Sequence, residues 1–492
     1  MESFWYSGIV PKGDFMTLSN NDLSQIKSHG LTLETIKQQI KDFESGFPFV
    51  DIVKPATRGD GVIEYTNEDI EKFISIYDKY ATSHKTVKFV PASGAATRMF
   101  KDLFDFMSND IENQTVLNTV NNIDKFAFWN KLKTYLPENY KDTDIVKNLL
   151  TDAGLNYGNQ PKGLIIFHKY ANGVKTAVEE HLVEGAKYAK SGDTVYIHFT
   201  ISPEHRAGFE GLLKSVLPIY ESEFNVKYNI TMSEQKKSTD TIAVNMDNTP
   251  FRNEDGSLLF RPAGHGALIE NLNDIDADLI FIKNIDNVTN DDLINDTIKY
   301  KKALAGTLIK LQSEIFELLK NNDTNKMHDF ITNKLGIKIN QKLSLDEYKN
   351  ILNRPLRVCG VVKNTGEPGG GPFWVRDKNN NISLQIVESS QIAPESKDIM
   401  KQSEYFNPVD LVCATKDANG NKFDLNKYID KDTGFISEKS KNGKPLRAME
   451  RPGLWNGAMA NWNTVFVAVP ITTFNPVKIV TDLLKTAHQP KI

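Results

Sequence analysis

Short β-rich runs alternate with stretches of helical periodicity through the middle of the chain, and this alternation restricts the possible folds more than any other feature. The β-rich runs are residues 86–90, 164–167, 194–200, 226–232 and 279–285. Between the third and the fourth run, apolar residues from Phe209 to Tyr220 recur at helical spacing. Strands that alternate with helices are typical of a largely parallel sheet with helices on both faces. We therefore expect an α/β fold that binds its ligand in the loops at the carboxyl ends of the strands.

The same patterns divide the chain into three predicted parts. Residues 1–85 form a helical lead-in, because their apolar residues recur near a helical period. Residues 86–355 form the α/β domain, with helical insertions near 100–160 and 289–353. Residues 356–492 are β-rich again. A chain of 492 residues has room for all three parts and for at least one large buried core.

Composition excludes several classes of protein. The chain has 59 Lys and Arg residues against 63 Asp and Glu residues, a formal charge of −4, so it lacks the basic excess that a large contact with nucleic acid requires. Its two cysteines, Cys359 and Cys413, are too few for a disulfide framework. Residues 1–6 lack the pattern of a signal peptide, and no run of about 18 apolar residues follows. We expect a cytoplasmic protein with no nucleic-acid or membrane partner.

The most informative loop is residues 91–98, Pro-Ala-Ser-Gly-Ala-Ala-Thr-Arg, which connects a β-rich run to a run of helical spacing. Small residues between a strand and a helix let backbone N–H groups approach an anion. A tight turn without a ligand is the alternative interpretation. The loop is not a Walker loop, because no Gly-Lys-Ser/Thr ends it, and it lacks the three glycines of a dinucleotide-binding loop. Ser93 is also not in a nucleophile elbow, because Pro91 and Ala95 occupy the positions that need glycine.

Several segments occur in the order found in one enzyme family. Residues 89–98 resemble the Leu-x-Gly-Gly-x-Gly-Thr-Arg signature of sugar-nucleotide pyrophosphorylases, and residues 161–163 resemble that family's Pro-Lys-Gly element. The further segments similar to the family, in the same order, are residues 196–202, 233–235, 261–268, 281–288, 384–389 and 456–463. The resemblance covers about residues 86–470 and is greatest for the UDP-N-acetylglucosamine and UDP-glucose pyrophosphorylases, of which the chain looks like a divergent branch.

This resemblance implies a fold and a reaction. The fold is a mostly parallel mixed sheet flanked by helices, the nucleotide-diphospho-sugar transferase-like sandwich, with a helical N-terminal region and helical insertions. In the implied reaction, a sugar 1-phosphate attacks the α-phosphorus of a nucleoside triphosphate, UTP being favoured, and pyrophosphate leaves with the help of Mg²⁺. Residues 86–355 would then be the nucleotidyltransferase-like domain, and residues 356–492 would complete the sugar side of the site.

The resemblance also implies roles for individual residues. Arg98 and Lys162 would carry the catalytic positive charges, and Asp286 would bind Mg²⁺. The residues that would hold the phosphate oxygens of the nucleotide are Ser93, Gly94, Ala95, Ala96 and Thr97. The residues that would contact the base are Gln235 and Gly264, and those that would contact the sugar are His265, Glu388 and Asn461.

The chain departs from the family at three places. Ser93 and Ala96 replace two glycines of the loop, which is expected to narrow the approach of a triphosphate to the backbone. Residues 99–160 stand where the family has a short connection, so a helical insertion, which we interpret as a candidate lid, lies beside the phosphate site. Ala263 and His265 replace an Asp and an Asn. Two alternatives therefore stay open: a catalytically degraded protein that binds a nucleotide or phosphosugar, and an enzyme that modifies phosphosugars by another reaction.

Overall fold

The computed structural model describes residues 18–109, 111–366 and 369–490. Its helices are α1 (Asn20–Ser28), α2 (Leu33–Ser45), α3 (Asn67–Tyr80), α4 (Lys101–Asn109), α5 (Gln114–Asn121), α6 (Trp129–Leu132), α7 (Asp142–Leu150), α8 (Ala177–Tyr188), α9 (Arg206–Phe224), α10 (Ile269–Asn273), α11 (Ile294–Asn321), α12 (Thr324–Asn333), α13 (Leu345–Leu352) and α14 (Lys397–Lys401). Its strands are β1 (Ile52–Pro55), β2 (Thr57–Arg58), β3 (Gly61–Ile63), β4 (Thr86–Pro91), β5 (Ile166–Tyr170), β6 (Gly173–Thr176), β7 (Lys190–Ser191), β8 (Thr194–Ile201), β9 (Lys227–Glu234), β10 (Thr241–Ile242), β11 (Phe260–Arg261), β12 (Leu279–Ile282), β13 (Leu356–Lys363), β14 (Gly370–Arg376), β15 (Ile382–Glu388), β16 (Tyr405–Ala414), β17 (Phe435–Lys441), β18 (Lys444–Glu450) and β19 (Asn463–Ala468).

A ten-stranded mixed sheet runs through the centre of the described structure. Its strands follow the order β2–β3–β19–β13–β16–β12–β4–β8, and both β7 and β9 pair with β8. The strands β4, β8, β9 and β12 are parallel to one another, whereas β16 is antiparallel to both β12 and β13. Helices α8, α9 and α11 pack against the sheet. The predicted fold class, a mostly parallel mixed sheet flanked by helices, is confirmed.

The parallel strands form where the sequence offers continuous apolar runs. Every residue of β12, Leu279–Ile282, is at most 1% exposed, and β4 is buried from Thr86 to Val90. A strand that is buried on both faces has no solvent side and therefore shows no polar alternation. Because β4, β9 and β12 run parallel, the loops that follow them lie at one edge of the sheet.

The β-rich run at 164–167 folds differently from the prediction. The strand β5 begins at Ile166 and pairs with β6 in a separate two-stranded hairpin, outside the central sheet. The chain reverses at residues 171–172, between the two strands. Gly173, the first residue of β6, has a φ of 148°, which favours glycine. The central sheet gains other strands instead: β2 and β3 from the N-terminal part, and β13, β16 and β19 from the C-terminal part.

The predicted helical insertions pack on this sheet. Leu103 of α4 and Leu149 of α7 share a buried core with Phe199 of β8. Helices α11, α12 and α13 pack with α3 in a second core. None of the described helices is long and apolar enough to cross a membrane. The division of the chain into three parts stays a prediction, and residues 1–17, 110, 367–368 and 491–492 of these parts lie outside the described residues.

Candidate functional site

The loop after β4 is attached to the segment around Lys162 by two backbone hydrogen bonds. The N–H group of Ala96 donates to the carbonyl oxygen of Gln160 at 3.1 Å, and the N–H group of Lys162 donates to that of Gly94 at 3.4 Å. The backbone N–H groups of residues 93–95 donate to no described residue. Several free N–H groups in one loop form a site that can bind an anion.

The alanine that replaces a family glycine does not narrow this loop. Ala96 is fully buried, and its methyl group lies in the same core as Met99 and Phe100. An anion at the exposed side of the loop would therefore not meet it, and the expected narrowing is wrong for Ala96. The other replacement, Ser93, is half-buried, and its carbonyl oxygen accepts a hydrogen bond from Ser202 Oγ at 3.1 Å.

Three positive charges lie at this loop or beside it. Lys162 Nζ donates to Asp286 Oδ2 at 2.8 Å and to the carbonyl oxygen of Val477 at 2.7 Å. Lys478 Nζ lies 3.4 Å from the same carboxylate oxygen. The side chain of Arg98 is exposed and forms neither an ion pair nor a hydrogen bond with the described residues. One carboxylate therefore faces two lysines, and the loop itself carries the arginine, an excess of positive charge that suits an anionic ligand.

Asp286 is nearly buried and ionised. Burial alone raises the pKa of a carboxyl group, but the ion pairs with Lys162 and Lys478 hold the pKa of Asp286 below its usual value. The residue lies at the same edge of the sheet as the loop, since the N–H group of Ile285 donates to the carbonyl oxygen of Pro91 at 3.3 Å. The site therefore carries one fixed negative charge among its cations.

Asp276 and Asp278 lie at the opposite edge of the sheet. Their carboxylates pair with Lys416 at 3.0 and 2.9 Å. The N–H group of Lys85, which precedes β4, also donates to Asp278. The direction of β12 thus separates these two acids from Asp286.

Asp286 offers one free carboxylate oxygen to Mg²⁺, but the two lysines around it favour an anion, so the ion would have to arrive with its phosphate ligand. Proteins often supply only one or two carboxylates to Mg²⁺, while phosphates and water supply the other oxygen atoms. Asp286 Oδ2 accepts from the two lysines, and Oδ1 accepts no hydrogen bond from the described part of the chain. Within the described ranges, no group of three or more His, Cys, Asp and Glu side chains is arranged to hold a metal ion. Mg²⁺ at Asp286 stays a prediction.

Gln235 and Gly264, the predicted base contacts, lie in neighbouring loops. Gln235 follows β9, and its Nε2 atom is buried without a hydrogen-bond partner among the described residues. Gly264 has a φ of 72°, a backbone conformation that favours glycine, and a Cβ atom there would also displace the Glu450 carboxylate. Arg451 connects the two loops. Its backbone N–H group donates to the carbonyl oxygen of Ala263, next to Gly264, and its Nη2 donates to that of Ser238, in the loop after Gln235, both at 3.0 Å.

His265 and Glu388, two predicted sugar contacts, meet around Trp455. The imidazole of His265 stacks on the indole with ring centroids 4.1 Å apart, and its Nε2 atom lies 3.8 Å from Glu388 Oε1. The indole N–H group donates to the same oxygen at 3.0 Å. Since the N–H group of Leu454 donates to His265 Nδ1 at 3.0 Å, the ring proton belongs on Nε2, towards Glu388. Burial lowers the pKa of His265 against the opposing effect of nearby carboxylates, so the ring is neutral at pH 7.

Asn461, the third predicted sugar contact, forms no described hydrogen bond with His265, Glu388 or Trp455. Its side chain is exposed, and its N–H group donates to the carbonyl oxygen of Tyr428 at 3.2 Å. Asn456 is connected instead: its Nδ2 donates to Gln391 Oε1 at 3.2 Å, and that oxygen also accepts from the N–H group of Glu388 at 2.9 Å. Among the asparagines of residues 456–463, Asn456 is therefore the one connected to Glu388, through Gln391.

Sequence analysis missed Lys478, Trp455 and Gln391. Lys478 follows Pro476 in a stretch without helical or strand periodicity, where a lysine is usually a solvated surface residue. Trp455 reaches Glu388 only through tertiary packing, whereas Gln391 lies three residues after Glu388 and accepts from its N–H group in a local capping box. The spacing of Glu388 and Gln391 is therefore the one local signal that could have pointed to Gln391, and no such signal marks Lys478 or Trp455.

The structure is similar to the crystal structure of the uridine diphosphate N-acetylglucosamine pyrophosphorylase from Trypanosoma brucei in complex with an inhibitor, with a TM-score of 0.50, 11% identity, and coverage of 95% of this chain and 79% of that chain. The UDP-glucose phosphorylase from Trypanosoma brucei matches with a TM-score of 0.45, 14% identity, and coverage of 94% and 77%. The first similarity confirms the predicted resemblance at the level of the fold. A comparison with curated protein sequences finds no match. A family model described as "Domain of unknown function (DUF4301)" matches residues 19–489, and the chain belongs to this family.

Proposed function

We propose that the chain transfers a nucleotidyl group from a nucleoside triphosphate, with UTP favoured, to a sugar 1-phosphate and releases pyrophosphate. The observation that carries this proposal is the meeting of free loop N–H groups with Lys162, Lys478 and Asp286. They meet at the carboxyl edge of the parallel strands, where α/β sheets bind their ligands. The fold shared with a UDP-N-acetylglucosamine pyrophosphorylase supports the same reaction class.

The proposed reaction is an in-line displacement at phosphorus. An oxygen of the sugar 1-phosphate forms a bond to the α-phosphorus, and the bond to the β-phosphate breaks as pyrophosphate leaves. Such a transfer needs positioning and charge stabilisation more than covalent help from the protein. The N–H groups of residues 93–95 bind phosphate oxygens, while Arg98 and Lys162 offset the negative charge that develops on pyrophosphate. Asp286 Oδ1 would hold Mg²⁺, which supplies further positive charge at the phosphate oxygens.

The base and the sugar are bound by the neighbouring loops. Gln235 offers its unpaired amide to the base, and Gly264 lets the backbone approach closely. The Nε2–H group of His265 and the carboxyl oxygens of Glu388 together offer a donor and an acceptor to sugar hydroxyl groups. We propose Asn456, in place of Asn461, as the asparagine on the sugar side.

A protein that binds the same ligands without turnover is the second candidate function. Ser93 favours it, because its side chain stands where the pyrophosphorylases have glycine in the phosphate loop. The free N–H groups, the unpaired Arg98 and the buried methyl group of Ala96 favour the enzyme. Turnover decides between the two.

Nucleotide binding is expected to stabilise the fold. A ligand that binds only the folded chain raises the free energy of unfolding by about 2.7 kcal/mol at a concentration 100 times its Kd. Melting temperatures measured with UTP, ATP, CTP and sugar 1-phosphates, each with and without Mg²⁺, should show the largest rise for UTP with Mg²⁺. If no nucleotide raises the melting temperature at millimolar concentration, the nucleotide interpretation is wrong. A rise without release of pyrophosphate from UTP and any sugar 1-phosphate would favour the binding protein.

Substituting His265→Asn is expected to change the ranking of sugar 1-phosphates more than the affinity for nucleotide, because the ring lies beside Glu388 on the sugar side. Release of pyrophosphate across a panel of sugar 1-phosphates measures the ranking. His84→Asn is the matched control: His84 stacks on Tyr80 with ring centroids 3.7 Å apart but lies just before β4, at the opposite edge of the sheet. A uniform loss of rate with every sugar would mean that His265 only supports Trp455.

A further inference from the structure

Residues 476–490, the strap, run from the phosphate side of the site to a buried polar cluster. At the near end, the N–H group of Val477 donates to the carbonyl oxygen of Asp286 at 3.0 Å. The carbonyl oxygen of Val477 accepts from Lys162 Nζ at 2.7 Å. These two bonds place Lys478, the next residue, beside the Asp286 carboxylate.

The middle of the strap contains no described α-helix or strand. Residues Val480–Leu484 and Thr486–His488 form short 3₁₀ turns, and the N–H group of Val480 donates to the carbonyl oxygen of Met99 at 3.1 Å. The ordering entropy of such a segment must be offset by the contacts that fix it at separate points. The path of the strap therefore depends on its anchors.

The far end of the strap is anchored by His488. This side chain is 2% exposed, and its Nδ1 atom lies 2.8 Å from His168 Nε2. Burial lowers the pKa of both histidines to about 3, so two neutral rings share this hydrogen bond, one donating and the other accepting. A buried ring nitrogen that loses its partner costs free energy, so the two histidines depend on each other.

His168, Tyr170 and Glu180 form the socket that receives His488. His168 Nδ1 lies 2.7 Å from Glu180 Oε1, and the hydroxyl group of Tyr170 donates to the same oxygen at 2.6 Å. Glu180 belongs to α8, is 1% exposed, and has its pKa raised to about 8 by burial. The socket is thus an internally bonded cluster whose ring nitrogen, His168 Nε2, is offered to the strap.

The strap also holds both ends of the segment that begins with Asp286. Val477 bonds to Asp286 at one end, and at the other the carbonyl oxygen of Ala487 accepts from the N–H group of Asn290 at 3.1 Å and from the hydroxyl group of Thr289 at 3.0 Å. Since Ala487 is the neighbour of His488, the socket is connected to Asp286 through residues 286–290. The bonds from Thr289 and Asn290 reach the residues on both sides of His488, Ala487 and Gln489, so releasing the His488 side chain would loosen the strap at the point where it supports this segment.

We propose that His488 is a positioning residue for phosphate binding: seated in the socket, it fixes the strap and so keeps Lys478 and Asp286 in place. The proposal rests on the proposed function, because it takes the site of Lys478 and Asp286 to bind phosphate groups. It predicts an energetic coupling between His488 and Lys478, although nine residues lie between them in the chain.

A double-mutant cycle tests this coupling with inorganic pyrophosphate and Mg²⁺ as the probe, by calorimetric titration of the full chain. His488→Ala is expected to weaken pyrophosphate binding about 5-fold or more in the otherwise unchanged chain, and less than about 2-fold in the Lys478→Ala chain. His488→Asn, which keeps a polar group near the place of Nδ1, should restore part of the affinity. Equal weakening in both backgrounds, or none in the otherwise unchanged chain, would overturn the proposal.

Tyr220→Phe is the matched control for loss of a buried hydrogen bond. The hydroxyl group of Tyr220 donates to Glu179 Oε1 at 3.2 Å, and Glu179 precedes the socket residue Glu180 on α8. The variant should lower the melting temperature without changing pyrophosphate affinity. A change in affinity equal to that of His488→Ala would mean that general loss of packing, and not the strap, is responsible.

Amide hydrogen exchange tests the strap without any ligand, so its outcome separates this proposal from the proposed function. If the unchanged chain binds no pyrophosphate, the proposed function fails, and exchange still decides on the strap. His488→Ala is expected to speed exchange at residues 477–480, whose N–H groups bond to Asp286, Asp482 and Met99. An increase confined to residues 486–490 would show that the two ends are independent. If His488→Ala does not fold, His168→Gln probes the same contact from the socket.

Discussion

Asp286→Asn is expected to lower Mg²⁺-dependent turnover by at least ~10²-fold, the scale of losing one electrostatic stabiliser of a transition state. The ionised carboxylate is the only described acid that faces both Lys162 and Lys478, and its Oδ1 atom is free to accept a metal ion. Asparagine keeps the shape and a hydrogen-bond acceptor for Lys162 but removes the charge. Release of pyrophosphate measured against Mg²⁺ concentration gives the effect.

The same change should also cost some stability. Asp286 is nearly buried and pairs with Lys162 at 2.8 Å, so neutralising it is expected to lower the free energy of unfolding by about 1–3 kcal/mol. Turnover must therefore be measured well below the melting temperature of the variant. Denaturant unfolding under the same conditions supplies the correction.

Asp278→Asn and Asp276→Asn are the controls for this experiment. Asp278→Asn also removes an ion pair, the one with Lys416 at 2.9 Å, but at the opposite edge of the sheet. The free energy of unfolding should therefore fall without loss of turnover. Asp276 is largely exposed and should change neither. If Asp286→Asn retains turnover and Mg²⁺ dependence, the metal assignment is wrong and the protein binds its ligands by other groups.

The parallel half of the sheet is the part of the fold that the sequence predicts well. β4, β8, β9 and β12 match their predicted runs within about three residues. The strands β4, β8 and β12 are buried along most of their length and are therefore rich in apolar residues, whereas β9 alternates between exposed and half-buried residues. The largest discrepancy is at β12, which ends at Ile282 and not at Ile285. The next residues, Lys283 to Ile285, keep two hydrogen bonds to β4 and lead into the edge loop that carries Asp286.

The other half of the sheet was not predictable in detail. β16 lies between β12 and β13 and pairs antiparallel with both, although about 130 residues separate it from β12. β3 pairs with β19 across the length of the chain. Such pairings depend on long-range contacts, and local periodicity contains no information about which distant strands become neighbours.

The candidate site likewise contains residues whose position the sequence predicts and residues whose position it does not. Residues at strand ends, such as Gln235 and Asp286, are predictable because strand direction alone assigns them to one edge of the sheet. Lys478 is not predictable, because a tertiary contact of the strap brings it to Asp286 from a distant part of the chain. The resemblance assigns the sugar contact to Asn461, whereas Asn456 is the asparagine that bonds to Gln391 beside Glu388, and three asparagines within eight residues allow the register of such a resemblance to slip.

Arg98→Ala is expected to lower turnover about 10²- to 10³-fold while leaving the free energy of unfolding within about 0.5 kcal/mol of its original value. The guanidinium group is exposed and pairs with no described residue, so the folded chain loses little without it. Its proposed partner, the β- and γ-phosphates that leave as pyrophosphate, is absent from the unliganded chain. Arg98→Lys should restore part of the rate, because lysine keeps the charge but lacks the planar fork of donors that binds two phosphate oxygens at once.

Lys101→Ala is the matched control. This exposed lysine lies three residues further on and, among the described residues, pairs only with Asp105, at 2.8 Å, so turnover should not change. Initial rates of pyrophosphate release, with denaturant unfolding alongside, measure both quantities, and an Arg98→Ala chain as active as Lys101→Ala would show that Arg98 is a solvated surface residue.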